Sequence, residues 1–276
     1  MSALAPARVA LTYLWRHGRW PALDRPCRFT EWVQWRKLND RDSALARLTD
    51  KAWSKERVEA IAPGLSVPTL WEGVDLPLEP PAPLPLVVKA NHGCNQYRII
   101  RTIADWDEAR RLAPGWLTRT YGFWLDEWHY TAARPLLLVE PFLGGEGAPL
   151  PLDYKVYVFG GRAEVVQLHA GRGVCHRWTQ FDREWSALSS DPLPAPPPSH
   201  LAEMLEQAER LAVGFDFLRV DFYEVEGRLW FGEFCLFPGS GLDPFQPDSL
   251  DARLGVCWSA VRSLTPAAMP TLPVPA

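Results

Sequence analysis

Two acidic residues, Asp221 and Glu233, have the type and spacing that a magnesium site could use. Each lies among apolar residues in the stretch 217–239, which predicts two β-strands joined by a tight turn at Glu226-Gly227. Apolar neighbours are typical of buried strands, so neither acid has the pattern of a solvated surface charge. Carboxylates on adjacent strands provide the hard oxygen ligands of Mg²⁺, which commonly accompanies nucleotide phosphates. The stretch therefore indicates a site for magnesium and a nucleotide.

Arg219 comes two residues before Asp221, so the two side chains are predicted to share one face of their strand. Glu233 is expected to approach them across the turn. The group is either a structural ion cluster or a functional one, in which the acids bind metal and the arginine stabilises a transferred phosphoryl group or an oxyanion. The loop around Ser240 and Gly241 is either a simple turn or a polar loop beside the metal, where these two residues would contact substrate.

Two lysines and a polar turn are candidates for binding phosphate. Lys89 follows two valines in a predicted buried strand, where a lysine is costly unless it is paired or bound to an anion. The alternative is an edge-strand lysine that reaches water. His92 and Gly93 follow in a small turn whose backbone amides could close over phosphates. Lys51 begins a predicted helix, and the local sequence alone favours a solvated lysine there.

Glu140 ends a predicted apolar strand and is followed by a proline, which cannot donate to a strand ladder. Backbone groups freed there could bind an adenine edge while Glu140 accepts from its amino group. A solvent-exposed acid at a strand end is the alternative. Lys155 shares a strand face with Asp153 and could form an ion pair, a phosphate contact, or both. The chain contains neither a Walker A loop nor a GxGxxG fingerprint.

Hydrophobic periodicity predicts the elements that must position these residues. Residues 1–62 are predicted to be mostly helical, and 53–61 form one helix that Thr49 or Asp50 caps and Pro63-Gly64 ends. The remaining predictions are strands at 67–70, 86–90, 97–101, 136–143, 153–159 and 162–169, and helices at 105–112, with an aspartate cap, and at 201–213. Antiparallel hairpins beside a few helices predict an α+β fold.

Composition argues against several classes of protein. The net charge of −4 gives no basic footprint for nucleic-acid binding, and no apolar run approaches the ~20 residues of a membrane span. The N-terminus lacks the apolar core of a signal peptide, and five scattered cysteines without CxxC spacing argue against structural zinc and disulfides. A cytoplasmic protein is therefore expected. Arg8, Arg16 and Arg19 permit peripheral membrane contact by residues 1–30, although a packed helix is the default expectation.

An ordered series of motifs resembles the TupA-like ATP-grasp family, which is associated with cell-surface polysaccharide synthesis. The resemblance covers roughly residues 28–256, and its motifs are specific as an ordered set. They are DK at 50–51, VVKANHG at 87–93, LLVEPFL at 137–143, DYKVYVFGG at 153–161, RVDFY at 219–223 and FGEFCLFPGSG at 231–241.

The resemblance implies an ATP-grasp fold, in which two α+β subdomains with antiparallel sheets hold ATP between them. The boundaries are 1–48 for an N-terminal helical segment, 49–135 and 136–258 for the two subdomains, and 259–276 for a C-terminal tail. The family pattern also implies a role for each candidate residue. Lys51 and Lys89 would bind phosphate, and His92 and Gly93 would cover the phosphates. Glu140 and the backbone near Phe142 and Leu143 would bind adenine. Asp221 and Glu233 would bind magnesium, and Arg219 would stabilise the acyl-phosphate step.

The sequence departs from the wider superfamily at Cys235. Many ATP-grasp ligases have a metal-binding asparagine at this position, and a thiol is a poor magnesium ligand. A second metal is therefore in question. Many ATP-grasp ligases also carry a separate N-terminal α/β domain that often helps to hold the substrate, and no such domain is expected in this sequence.

The activity that the resemblance implies is ligation of a carboxylate to an amine, driven by ATP and magnesium through an acyl phosphate. No protein nucleophile is needed. By family analogy the acceptor is expected to be a uronic acid or an amino-acid-bearing sugar of a surface glycan. The alternatives are a kinase on the same fold and a non-catalytic glycan-assembly protein that uses the aromatic-rich segment 116–130.

Overall fold

The computed structural model describes residues 4–119, 121–145, 147–171 and 175–264. The α-helices within these ranges are α1 (Ala5–His17), α2 (Phe29–Asn39), α3 (Ser43–Arg47), α4 (Lys51–Ile61), α5 (Ile103–Leu117), α6 (Leu201–Leu211) and α7 (Asp248–Leu264), and short 3₁₀ helices cover Phe123–Leu125, Trp128–Ala132 and Pro238–Gly241. The strands are β1 (Trp71–Gly73), β2 (Leu86–Ala90), β3 (Tyr97–Ile100), β4 (Leu137–Pro141), β5 (Asp153–Phe159), β6 (Arg162–Ala170), β7 (Arg177–Phe181), β8 (Phe217–Val225) and β9 (Arg228–Cys235).

The chain divides into two compact units, each assembled from separate stretches of sequence. Unit 1 comprises residues 1–41, 153–222 and 235–276 so far as they are described, and unit 2 comprises residues 42–152 and 223–234. These units differ from the predicted boundaries, because β4 lies in unit 2 and the chain returns to unit 2 at residues 223–234. The units are defined by contacts within the fold, whereas the limits 49–135 and 136–258 refer to the two ATP-grasp subdomains and remain a prediction.

Unit 1 contains a sheet in which β7, β6, β5 and β8 are neighbours in that order. β5 and β6 are the predicted antiparallel hairpin, and β7 adds antiparallel to β6. The core of unit 1 contains three packed aromatic residues. Phe29 of α2, Phe217 of β8 and Trp258 of α7 are at most 1% exposed. Ring centroids lie 4.9 Å apart for Phe29 and Phe217, and 4.5 Å apart for Phe217 and Trp258. This packing fixes β8 and therefore the residues that β8 carries.

Unit 2 contains a four-stranded antiparallel sheet with the order β1-β4-β2-β3. Val88 of β2 and Val139 of β4 are fully buried on one face of this sheet against Trp106 of α5. The last three residues of β8 and most of β9 also belong to unit 2. The two strands turn at Glu226-Gly227, where both residues have positive φ. A left-handed pair at the tip is the backbone of a tight hairpin turn, as predicted.

Several local predictions are confirmed by the helix termini and strands. Asp50 caps α4, because its carboxylate accepts from the Trp53 backbone N–H at 2.9 Å. The strand predicted at 86–90 is β2, and the double strand predicted at 217–235 is β8 and β9. Within the described residues no helix combines the length and the apolar composition that a bilayer crossing would need.

Other local predictions are wrong for identifiable reasons. The strand predicted at 67–70 contains Pro68, which cannot donate to a ladder, and β1 begins only at Trp71. Thr102 rather than an aspartate caps α5, and Asp105 is the acidic partner of a reciprocal capping box. The strand β7 and the helix α7 were not predicted. Residues 259–264 of the predicted tail belong to α7, and residues 265–276 lie outside the described residues.

Candidate functional site

Three lysines of unit 2 surround one buried acid, and we call Lys51, Lys55, Lys89 and Glu140 the lysine cluster. Lys51 and Lys55 are one turn apart on α4 and therefore face the same side of the helix. Lys89 lies on β2 and Glu140 on the neighbouring strand β4. The Lys89 Nζ is 2.7 Å from Glu140 Oε2, and the Lys55 Nζ donates to Glu140 Oε1. Each oxygen of the acid therefore has its own ammonium partner.

The electrostatics of the cluster are dominated by burial. The Glu140 side chain is 6% exposed. Burial alone would raise the pKa of Glu140, but the charges of Lys89 and Lys55 outweigh it, so the pKa lies below its ordinary value. Burial, reinforced by the charge of Lys89, lowers the pKa of Lys55 to about 8 despite the attraction of Glu140. The fold therefore keeps Lys55 in an environment that disfavours its own charge.

Lys51 links the cluster to a backbone turn and to a second acid. Its Nζ donates to the Gly93 carbonyl at 2.8 Å and lies 3.5 Å from Glu233 Oε2. The Glu233 side chain is 35% exposed, and this residue lies in β9 within the same unit. A cavity of about 10 Å³ is lined by the three lysines and Glu233, among other residues. The ammonium groups thus face a small polar space in which an anion would be attracted.

A hydrogen-bonded network of unit 2 fixes the start of α4 and the turn after β2. Arg134 donates to Asp50 through Nε at 2.8 Å and through Nη2 at 3.0 Å. Asn91 accepts from the Ala52 backbone N–H at 2.8 Å and donates to the Arg134 carbonyl at 2.9 Å. Because Asp50 and Ala52 flank Lys51, this network holds the backbone that carries the first lysine of the cluster.

The turn at His92-Gly93 lies beside Lys51, but the His92 ring points elsewhere. Its Nε2 is 3.1 Å from the Trp116 carbonyl, and burial lowers the pKa of this histidine. The backbone N–H of Phe142 donates to the Pro85 carbonyl at 3.2 Å. Phe142 is buried, and Leu143 is half-buried after the end of β4. The roles of these residues in covering phosphate and binding adenine remain predictions.

A second ion cluster lies in unit 1 on β5 and β8. Arg219 donates to both oxygens of Asp221, each at 2.7 Å, through Nε and Nη2. The Lys155 Nζ lies 2.6 Å from Asp221 Oδ2 and 2.8 Å from Asp153 Oδ2. The shared strand faces predicted for Arg219 with Asp221 and for Lys155 with Asp153 are thus occupied by ion pairs. All four side chains are at most 9% exposed.

The charges of this cluster are strongly stabilised. Burial would raise the pKa of Asp221, but Arg219 and Lys155 outweigh it and hold the pKa below its ordinary value. Desolvation, and then the charges of Lys155 and Arg219, lower the pKa of the nearby His169 to about 2. His169 is therefore neutral at pH 7, and the fixed charges of the cluster are two positive and two negative.

Beside this cluster, unit 1 contains a cavity of about 100 Å³, which we call the unit 1 cavity. Its lining includes Arg219 and a row of side chains from β6 and β7, which are Gln167, His169, Trp178 and Gln180. Cross-strand pairing places Gln167 opposite Gln180 and His169 opposite Trp178, so these side chains share one face of the sheet. Pro238, Gly239 and Asp243, which follow β9, also line the cavity.

The candidate substrate residues Ser240 and Gly241 are engaged within unit 1. The buried Lys37 donates to Ser240 Oγ at 2.6 Å and to the Ser240 carbonyl at 2.7 Å. Gln34 donates to the Ser240 and Gly241 carbonyls at 2.9 and 3.1 Å. Gly239, the residue before them, lines the unit 1 cavity. Gly239, Ser240 and Gly241 all have positive φ. The loop is therefore rigidly held, while substrate contact by Ser240 and Gly241 remains a prediction.

Lys55, Gln167, Trp178 and Gln180 were not singled out from the sequence. Lys55 had a detectable signal, because the chain has only five lysines and this one follows Lys51 by a single helical turn. The glutamines and the tryptophan had none, since β7 was not predicted and their common face follows only from strand pairing.

Comparisons with known proteins show what this chain is similar to. D-alanine–D-alanine ligase from Bacillus anthracis aligns with 17% identity and a TM-score of 0.47 over 79% of this chain and 66% of the ligase. L-amino acid ligase from Bacillus licheniformis aligns with 12% identity and a TM-score of 0.48, over 78% of this chain and 48% of that protein.

A complex of the ATP-grasp ligase PsnB with a precursor variant, Mg and ADP aligns with 13% identity and a TM-score of 0.44, over 85% of this chain and 65% of PsnB. Comparison with curated proteins gives no match. The profile of the family described as TupA-like ATP-grasp matches residues 31–258. Since this match spans most of the 276 residues, the chain belongs to the TupA-like ATP-grasp family.

Proposed function

We propose that this protein is an ATP- and magnesium-dependent ligase that joins a carboxylate to an amine through an acyl phosphate. The observation that carries the proposal is the lysine cluster of unit 2, in a chain of the ATP-grasp family. A role in cell-surface polysaccharide synthesis rests on the family association alone. A cytoplasmic location, where ATP is available, is part of the proposal.

The lysine cluster fits the phosphates of ATP. An ammonium group has three N–H donors. Lys89 uses one of them on Glu140, and Lys51 uses one on the Gly93 carbonyl. The other donors of Lys89 have no partner within the described residues, so they are available to phosphate oxygens. Three lysines against Glu140 and Glu233 also leave one net positive charge, which favours a polyanion.

The fit to magnesium differs between the two predicted ligands. The described part of the chain contains no group of three or more His, Cys, Asp or Glu side chains that could hold a metal. Mg²⁺ is commonly held by one or two carboxylates together with phosphate oxygens and water, so such a group is not required. Glu233, partly exposed and 3.5 Å from Lys51, fits this use. Both oxygens of Asp221 accept hydrogen bonds from Arg219, and Lys155 occupies one of them as well.

The chemistry assigned to the chain is charge stabilisation and positioning. Magnesium, when bound, would neutralise charge on the transferred phosphate. Lys51 and Lys89 would orient the phosphates, as the family pattern predicts, and Lys55 would hold Glu140 in place. Arg219, fixed by two hydrogen bonds to Asp221, would stabilise the oxyanion that forms when an amine attacks the acyl phosphate. No residue of the chain needs to act as a nucleophile.

The proposal is tested by measuring ADP release from ATP and magnesium over a panel of carboxylates and amines, with products weighed by mass spectrometry. A product whose mass equals acid plus amine minus water is expected. A product that carries only an added phosphate would instead identify a kinase. ADP release that needs no acid or amine would oppose both readings.

Variants connect the activity to the cluster. Lys89→Met is expected to lower ADP release by about 100-fold or more, because it removes a preorganised donor to the phosphates. The matched control is Arg111→Met, which removes an exposed cation from α5 of the same unit. Equal activity of the two variants would contradict the assignment of the lysine cluster to ATP.

A further inference from the structure

The unit 1 cavity presents hydrogen-bond donors that the protein itself does not use. Arg219 donates hydrogen bonds to Asp221 through Nε and Nη2, which leaves Nη1 without a partner among the described residues. Gln167 and Gln180 each use Oε1 as an acceptor, from Tyr157 Oη at 2.7 Å and from Ser189 Oγ respectively. Their Nε2 amides have no partner within the described ranges.

Most side-chain acceptors at the cavity are already occupied. The Oε1 atoms of both glutamines accept hydroxyl protons, and both oxygens of Asp221 accept from Arg219. His169 Nε2, which also belongs to the lining, is buried without a partner among the described residues, and whether it donates or accepts depends on the ring tautomer. A carboxylate is acceptor-only and can accept from several N–H groups at once. The three N–H donors of Arg219, Gln167 and Gln180 therefore favour an acceptor-only group.

Charge and size restrict the ligand further. Arg219 and Lys155 are balanced by Asp221 and Asp153, so the floor does not have the excess positive charge that a phosphate dianion would require. The volume of about 100 Å³ is small, since each water of the liquid occupies about 30 Å³. A space of this size holds the head of a small acid.

The wall of the cavity suits the carbon body of such an acid. Trp178 is 43% exposed, and its ring lies 5.4 Å from that of His176 and 5.9 Å from that of His169. His169 is neutral at pH 7, because burial lowers its pKa to about 2, so its ring adds aromatic surface without a charge. Asp243 also lines the cavity, but its side chain is 61% exposed, so water and salt screen its charge.

We propose that the unit 1 cavity is a binding site for a monocarboxylate. Its oxygens accept hydrogen bonds from Arg219 Nη1 and from the Nε2 amides of Gln167 and Gln180, and its carbon body packs on Trp178. The identification of this ligand as the acid substrate rests on the proposed ligase function. Binding of a carboxylate by itself does not, because it requires neither ATP nor the lysine cluster of unit 2.

The test is ligand-observed saturation-transfer NMR at pH 7 with the full chain, without ATP or magnesium, using propionate and its neutral isostere propionamide as probes. Propionate is expected to receive saturation, propionamide is not, and inorganic phosphate at equal concentration is expected not to displace propionate. Equal saturation of propionate and propionamide, or displacement by phosphate, would overturn the proposal.

Variants locate the site. Gln180→Glu replaces the donor amide with an acceptor and is expected to weaken propionate binding by about tenfold or more. Gln207→Glu makes the same change on α6 of the same unit, outside the cavity lining, and is expected to leave binding unchanged. Trp178→Ala, at a partly exposed position, provides a second variant that is expected to fold and to lose saturation. Unchanged binding in folded Gln180→Glu or Trp178→Ala protein would overturn the assignment.

Failure of this inference is distinguishable from failure of the ligase function. Lys89→Met is expected to bind propionate as the wild type does while losing ADP release. Carboxylate binding without any ATP turnover would support the cavity assignment and oppose the ligase. ATP-dependent ligation by a protein whose unit 1 cavity does not distinguish propionate from propionamide would overturn the inference alone.

Discussion

Replacement of Lys55 by methionine is predicted to stabilise the fold while impairing nucleotide binding. Lys55 is 13% exposed in its side chain and shares Glu140 with Lys89. Burial lowers its pKa from 10.5 to about 8, with Lys89 adding to the effect and Glu140 only partly opposing it. The charged form of Lys55 is therefore a net cost to the folded state, although it makes an ion pair.

The magnitude follows from the change in pKa. A drop from 10.5 to about 8 corresponds to about 3 kcal/mol of disfavoured charge at pH values below 8. Methionine removes the charge and fills most of the same volume, and Glu140 is not left unpaired, because Lys89 remains 2.7 Å from its Oε2. We expect Lys55→Met to raise the free energy of unfolding by about 1–3 kcal/mol at pH 7.5.

The pH dependence provides an independent check on this cause. In the folded state Lys55 loses its proton near pH 8, and in the unfolded chain near 10.5. Between these values the unfolded state binds more protons, so the Lys55 contribution to stability rises with pH. The advantage of Lys55→Met over wild type should therefore shrink between pH 8 and pH 10. Titrating groups that do not interact with Lys55 cancel, because only the difference between the two proteins is used.

The assay is urea unfolding followed by far-ultraviolet circular dichroism at pH 7.5, 9 and 10, with m-values compared between proteins. Arg111→Met, which removes an exposed cation, is expected to change stability by no more than about 0.5 kcal/mol. A loss of stability in Lys55→Met of more than about 1 kcal/mol at pH 7.5 would refute the reasoning. So would an advantage that stays constant up to pH 10.

Three further predictions concern stability and use the same unfolding assay. Asp216→Ala should cost about 3–5 kcal/mol, because it removes the carboxylate that the fully buried Arg36 donates to and leaves only the more distant Asp40, 3.7 Å from Arg36 Nε; a cost below about 1 kcal/mol would show that the pair is not needed. Gly241→Ala should lower the free energy of unfolding by at least about 1 kcal/mol more than Gly227→Ala does. Both glycines have positive φ, but only a Cβ at position 241 would lie 2.8 Å from a backbone oxygen, so equal losses of stability would contradict the steric argument. Asp50→Ala should cost about 1–2 kcal/mol by removing the cap of α4, and it should also weaken ATP binding measured by calorimetry; unaffected binding would separate the cap from the lysine cluster.

The sequence predicts well the features that depend on local order. The hairpin of β5 and β6 and the pair of β8 and β9 follow from apolar alternation with turn residues at Gly160-Gly161 and Glu226-Gly227. The cap at Asp50 follows from residue type and position. The face shared by Arg219 and Asp221 follows from the two-residue period of a strand, and the two side chains are hydrogen-bonded on that face.

Features that depend on contacts between distant segments could not be predicted in the same way. Lys55 and Glu140 are 85 residues apart in sequence, and only the docking of α4 beside β4 makes them partners. The row of Gln167 and Gln180 requires the register of β6 and β7, and β7 lacks the continuous alternation that would have identified it. The ion pairing of Asp221 with Lys155 likewise follows from strand order rather than from either local motif.

The most direct test of the central claim is the fate of carboxylate oxygen during turnover. An acid that supports ADP release would be labelled with ¹⁸O in its carboxylate and incubated with the protein, ATP, magnesium and the amine. A ligase that acts through an acyl phosphate transfers one labelled oxygen to inorganic phosphate for each amide formed, which mass spectrometry of the phosphate detects. Inorganic phosphate without label, or label retained in a stable phosphorylated product, would contradict the account.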